Sequence, residues 1–190
     1  MRSIIPAFMV SLLSAPSAVV AQVSVHPFVT GSLARIRAAD HGYQDVSQYG
    51  WIDAVGGGFG LQVVSPKGLG LSAAVEHHSA GNTPIYDVNF QRTGRFQPRA
   101  TVTTASVEAR IGRPGAVLVY RVGGVIGWQR GDITLARANA RPGIRAGLTI
   151  YPFRGARIRP GIDLDLTRYF SPARDAGIRS ILSPGLRIDF

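Results

Sequence analysis

From residue 23 to its end, this chain alternates apolar and polar side chains in steps of two, one segment after another. Residues 157–170 show it plainly. Ile158, Ile162, Leu164, Leu166 and Phe170 share one parity, while Arg159, Asp163, Asp165 and Thr167 share the other. A period of two places these sets on opposite faces of a β-strand. In residues 116–128 the apolar set is Leu118, Tyr120, Val122, Ile126 and Trp128, with Arg121 and Gln129 opposite. The last strand runs to Phe190 with Leu186 and Ile188 on the same face, and with Arg187 and Asp189 on the other. A slip of one residue would invert each face, so the register is strongly specified.

The same reading gives about eight strands, near residues 23–37, 51–64, 69–78, 101–112, 116–128, 144–153, 157–170 and 179–190. Their connections alternate strictly between short and long. Ser65-Pro66-Lys67-Gly68, Arg113-Pro114-Gly115 and Arg154-Gly155-Ala156 are tight turns by composition. The links at 38–50, 79–100, 129–143 and 171–178 are longer and polar. Short turns at one rim and long loops at the other are the signature of a transmembrane barrel. An arginine facing lipid at mid-membrane costs about 2–4 kcal/mol, so the charged face must look inward. The expected fold is therefore all-β: an eight-stranded, antiparallel, up-and-down transmembrane barrel.

The front of the chain agrees. Arg2 precedes an apolar run from Ile4 to Leu13 and a small-residue stretch from Ser14 to Ala21. The run is about 10 residues, half of what a spanning helix needs. Val19 and Ala21 suit a signal-peptidase site, so residues 1–21 read as a cleavable export signal and 22–190 as the barrel domain. The expected location is the outer membrane. With no cysteine, disulfides and thiolate chemistry are excluded. The net charge of +10 would suit nucleic acid. For an exported chain, lipid phosphate is the nearer anion, and no nucleic-acid partner is expected.

Aromatic residues are expected in two belts, with Trp51, Trp128, Tyr169 and Phe170 at the external rim and Tyr151, Phe153 and Phe190 at the periplasmic rim. The recurring triplets Pro142-Gly143-Ile144, Pro160-Gly161-Ile162 and Pro184-Gly185-Leu186 read as bulges or strand starts, because proline removes a ladder donor. Inward positions gather Glu76, Glu108, Asp163, Asp165 and Asp189 against Arg110, Arg121, Arg145, Arg159 and Arg187. An interior of eight strands is just wide enough for side chains to fill. A salt-bridged plug is the expectation, with a small gated ion path as its alternative.

These features resemble the small eight-stranded outer-membrane barrels of the OmpA/OmpX type, over the whole span from Gln22 to Phe190. The resemblance implies a structural or surface-interaction role, carried by the external loops. It also makes Leu186, Ile188 and Phe190 similar to the signal read by the barrel-assembly machinery. The partners it implies are outer-membrane lipid and lipopolysaccharide, periplasmic chaperones and that machinery, with the barrel itself monomeric. No cofactor is implied.

One stretch has the residue types of catalysis. His77 and Ser79 lie two apart on the lipid face near the outer end of their strand, and a base beside a hydroxyl is the minimum for acyl transfer. The pair resembles the His-x-Ser-Asn motif of lipid A deacylases of the PagL type, which would make His77 the base and Ser79 the nucleophile. Ala80 stands where that family has asparagine, and Asp87 or Glu108 would have to orient the histidine. A metal site is not expected, since His77 and His78 face opposite ways and His26 and His41 have no visible partner. The loops carry Arg92, Arg95, Arg99, Arg130, Arg137 and Arg174, interleaved with Tyr86, Phe90 and Phe96. Guanidinium pairs well with phosphate, which suits a surface-binding role. A third alternative is a secreted, lipocalin-like barrel whose apolar face lines a ligand cavity.

Overall fold

The computed structural model describes residues 23–38, 51–81, 84–86, 89, 91–96, 99–131, 140–153, 157–170 and 177–190. Eight strands close into an antiparallel barrel: β1 (Ser24–Ala38), β2 (Ile52–Val64), β3 (Leu69–Ala80), β6 (Ala100–Ile111), β7 (Leu118–Gly131), β8 (Ala140–Ile150), β9 (Arg159–Tyr169) and β10 (Ile178–Asp189). β10 pairs with β1 to close the ring. Between β3 and β6 lies a small separate hairpin, β4 (Pro84–Tyr86) and β5 (Arg92–Phe96). In the sequence alone, residues 79–100 read as a polar link.

Two of the three expected short turns can be described; Arg154-Gly155-Ala156 lies outside the described residues. In the first, Gly68 takes φ 89° and its N–H donates to Ser65 O at 2.9 Å, while Ser65 Oγ donates to Leu69 O at 2.8 Å. In the second, Gly115 takes φ 77° and Ala116 N–H donates to Arg113 O at 2.9 Å. Both glycines sit in the left-handed region that other residues enter only at a cost. No helix among the described residues is long and apolar enough to cross a membrane.

The faces divide by polarity. Leu33, Phe59, Val107, Leu164 and Leu186 stand on the outer wall, Leu33 as much as 72% exposed. Every charged residue of the interior set except Arg159 is at most 5% exposed. This arrangement overturns the lipocalin alternative: the apolar face lies outside and charges fill the bore. An outer wall so largely apolar would aggregate in water and needs lipid around it.

Two expectations about position need correction. Tyr151 and Tyr169 point into the barrel, at 1% and 4% exposure, and do not join the belts. Trp128, Phe153, Phe170 and Phe190 do lie exposed. Of the two readings of the prolines the bulge falls: Pro142 and Pro160 stand at the starts of β8 and β9, as the strand-start reading has it, and pairing there runs without a shift. The shift in β1 falls at Arg37/Ala38, away from any proline.

Candidate functional site: the filled bore and its short-turn mouth

The bore has three layers. At the long-loop end, Ala34, Ile36, Ile52, Ala54, Val102 and Ile178 belong to a buried apolar cluster. Gln129 of β7 reaches across the lumen to β10, accepting from Ile178 N–H at 2.8 Å and donating to Ile178 O at 3.0 Å. Those strands are not neighbours in the sheet, so this side chain spans the lumen.

Below it lies the charged layer, in which Arg121 and Arg145 hold four carboxylates. Arg145 Nη1 and Nη2 meet the two oxygens of Glu76 at 2.7 and 2.8 Å, and Arg145 also contacts Asp165. Arg145 Nε lies 3.6 Å from Glu108 Oε1. Arg121 Nη2 reaches Asp163 at 2.7 Å and Asp165 at 2.8 Å, with Arg121 Nε 3.9 Å from Glu108 Oε2. Hydroxyls complete the layer: Thr149 donates to Asp163 at 2.6 Å and Ser106 to Glu108 at 2.7 Å. His78 adds an imidazole 3.6 Å from Glu76. A buried carboxylate without such partners would be costly, and here each has at least one guanidinium.

Inward glycines make room for these heads. A Cβ on Gly147 would collide with the Asp165 carboxylate, and one on Gly56 with the His78 ring. On Gly58 it would lie 2.5 Å from Glu76 Cγ. Charged side chains fit a narrow bore because the facing strands present glycine.

At the short-turn end the balance reverses. Asp189 is the carboxylate there, and its oxygens accept from Arg187 Nε at 2.7 Å, Gln62 Nε2 at 2.7 Å and Tyr151 Oη at 2.6 Å. Gln62 in turn accepts from Arg110 Nε at 3.0 Å and Arg187 Nη2 at 3.2 Å. Arg187 also stacks on Phe28, 3.4 Å from the ring centroid. Arg159 lies 4.2 Å from the Tyr151 centroid and donates through Nη2 to Ala116 O at 2.8 Å. Of the ten charged residues that the sequence placed inside, nine are buried and Arg159 is half-buried at the mouth.

His78, Gln62, Tyr151 and Phe28 are interior partners that sequence reasoning missed. His78 shares the parity of Glu76, and Tyr151 that of Thr149, so the signal was present in the alternation. Gln62 and Phe28 share the parity of their buried neighbours too, but neither type announces itself as a partner for charge.

His77 and Ser79 both face outward. His77 Nδ1 lies 3.0 Å from Thr103 Oγ1. Among the described residues no carboxylate hydrogen-bonds to His77, and Glu108 is on the other side of the wall, inside the bore. A base that activates a serine needs an orienting partner, and a threonine hydroxyl stands where one would be. Asp87, His41, Arg137, Arg174 and residues 1–21 lie outside the described residues, as do the side chains of Tyr86, Phe90, Arg92, Arg95 and Phe96. Arg99 and Arg130 are exposed. No group of three or more metal-ligating side chains occurs among the described residues.

No protein-family model and no curated protein sequence matches the chain. Its fold is similar to that of Neisserial surface protein A, with a TM-score of 0.51 at 12% identity over 88% of this chain and 99% of that one. The fold is that of the small eight-stranded outer-membrane barrels. The Yersinia pestis attachment invasion locus protein, Ail, is also similar: TM-score 0.49, 11% identity, over 87% of this chain and 98% of that chain in its crystal structure. Its backbone structure in a phospholipid bilayer nanodisc gives 0.48 and 11%, over 85% of this chain and 99% of that one. At this level of identity the likeness concerns architecture, and function is argued from the residues.

Proposed function

We propose that this barrel is a monomer with a closed, salt-bridged interior, and that it serves the outer membrane structurally or through its external loops rather than as a pore or an enzyme. The observation that carries this reading is the pair Arg121 and Arg145, which together engage four carboxylates from β3, β6 and β9 in the middle of the bore. An ion would have to part these contacts and then the apolar layer above them. The exposed Arg99 and Arg130, with the other loop arginines, supply guanidinium for phosphate-bearing surface glycolipid. Among the described residues, the neighbourhood of His77 offers no carboxylate to support a hydrolase.

On the same reading, residues 1–21 are the export signal. Leu186, Ile188 and Phe190 are the face that the assembly machinery recognises; Leu186 and Phe190 are exposed on the outer wall. The test is electrical and biochemical. Refolded protein in planar bilayers should give no unitary conductance, and stable steps would overturn the closed interior. Replacing Arg92, Arg95 and Arg99 by serine should weaken capture on immobilised lipopolysaccharide, and undiminished capture would remove the loops from the proposal.

A further inference from the structure

Acids and bases are not evenly mixed along the bore. Glu76, Glu108, Asp163 and Asp165 lie in the middle layer with Arg121 and Arg145. Arg110, Arg157, Arg159 and Arg187 gather at the short-turn end, where Asp189 is the carboxylate. The oxygens of Asp189 already accept from three side chains. Among the described residues, Arg110, Arg157 and Arg159 form no ion pair.

A cavity of about 380 Å³ opens at this mouth, lined in part by His26, Gln62, Arg110, Arg157, Arg159 and Asp189. Two of its guanidiniums are held in place by neutral groups. Arg110 is fixed by Gln62 Oε1 and by Gly112 O at 2.6 Å; Arg159 is fixed by Ala116 O and the Tyr151 ring. A guanidinium has five N–H donors, so each retains donors beyond those used. Arg159 Nε is buried and has no hydrogen-bond partner. Positive charge inside a low-dielectric wall focuses the field on the opening. A main-chain carboxylate at Phe190 would offset one of four cations.

We propose that the short-turn mouth is a binding site for a phosphate-class oxyanion, inorganic phosphate or a small phosphate monoester, held between Arg110 of β6 and the Arg157–Arg159 segment leading into β9. Guanidiniums approaching from different strands suit a tetrahedral anion with several acceptor faces, and their planar fork engages two oxygens at once. The site faces the periplasm and is independent of the loop reading above, which concerns the opposite end.

The experiment titrates inorganic phosphate into the full chain, refolded in zwitterionic detergent at low salt, with calorimetry as the readout. One saturable site is expected. Arg159→Gln should weaken it by about tenfold or more, the scale of losing one charge-assisted contact. Arg157→Gln, which lies outside the strands and should fold normally, should weaken it as well, while Arg168→Gln on the outer wall should leave it unchanged. Absence of saturable binding, or wild-type affinity in both the Arg157 and Arg159 variants, overturns the proposal. Nanodiscs separate the two sources of phosphate. Binding kept in both phosphatidylcholine and phosphatidylglycerol discs assigns the site to a soluble ligand, and binding lost only in the anionic discs assigns it to a lipid head group.

Discussion

Arg145 meets Glu76 through two nitrogens and also reaches Asp165 and Glu108, all within the buried middle of the bore. Removing such a cation leaves its carboxylates facing one another in a medium that solvates them poorly. Breaking a buried pair from one side costs about 3–5 kcal/mol, much of it the penalty of the stranded charge. Arg145→Gln should therefore lower the urea midpoint of the folded barrel by a corresponding amount, and adding Glu76→Gln should restore part of the loss. If the single variant unfolds at the wild-type midpoint, these contacts contribute little. The residues of this layer were legible in the sequence because they alternate with leucines and isoleucines. Tyr151 and Tyr169 were legible by the same rule: each sits two residues beyond an inward threonine. The expectation of an aromatic belt overrode the register there. The glycines opposite the charged heads were not legible, since a composition rich in glycine does not say which glycine faces which side chain.

At the scale of the strand, the prolines follow the hydrogen-bond ladder. Phe190 N–H donates to Pro27 O at 3.0 Å, so alternate residues back along β10, Pro184 among them, turn their amides toward β1. Pro27, Pro142 and Pro160 stand where the ladder on their amide side is ending, and there the missing N–H costs little. At the first of these, His26 Nδ1 lies 3.2 Å from Phe190 O and, when protonated there, donates in place of the amide that Pro27 lacks. Pro184 differs, because it falls mid-strand. Pairing between β1 and β10 runs from Phe28 to Ser32 and resumes at Arg35, leaving Leu33 and Ala34 unmatched opposite Pro184 and Ser183. The closing seam of the barrel is weakest at this point. Pro184→Val should return one ladder donor and raise stability by about 1 kcal/mol, the net worth of one hydrogen bond. Unfolding in lipid vesicles measures it, and an unchanged or lowered stability would show that the seam is closed by other means. The strand register was readable from alternation alone, but the hairpin of β4 and β5 was not. Its strands span three and five residues, too few for alternation to show, and turn-forming residues surround them.

Taken whole, the molecule is a cylinder whose outer wall is apolar through its middle and charged toward its long-loop end. Arg35 and Asp53, paired at 3.2 Å, are both exposed at the long-loop end, and Arg37, Arg130, Arg168 and Arg179 stand outward at the same level. Outward residues nearer the centre are Val29, Phe59, Val75, Val107, Ile126, Ile144 and Leu164. This depth profile was implicit in the loop rhythm, which set the ends of the strands, and in the parity of the charges. It leads to a prediction that distinguishes lipid from water around the wall. Val107 pairs with Ala73 and Gly124 near mid-strand, whereas Leu33 lies two residues from Arg35. An arginine at the bilayer midplane costs about 2–4 kcal/mol and near the interface about 0–1 kcal/mol. Val107→Arg should thus destabilise the barrel in vesicles severalfold more than Leu33→Arg, because only the first holds a guanidinium beyond the reach of water and phosphate. Equal costs at the two depths would mean that no hydrocarbon layer surrounds the barrel.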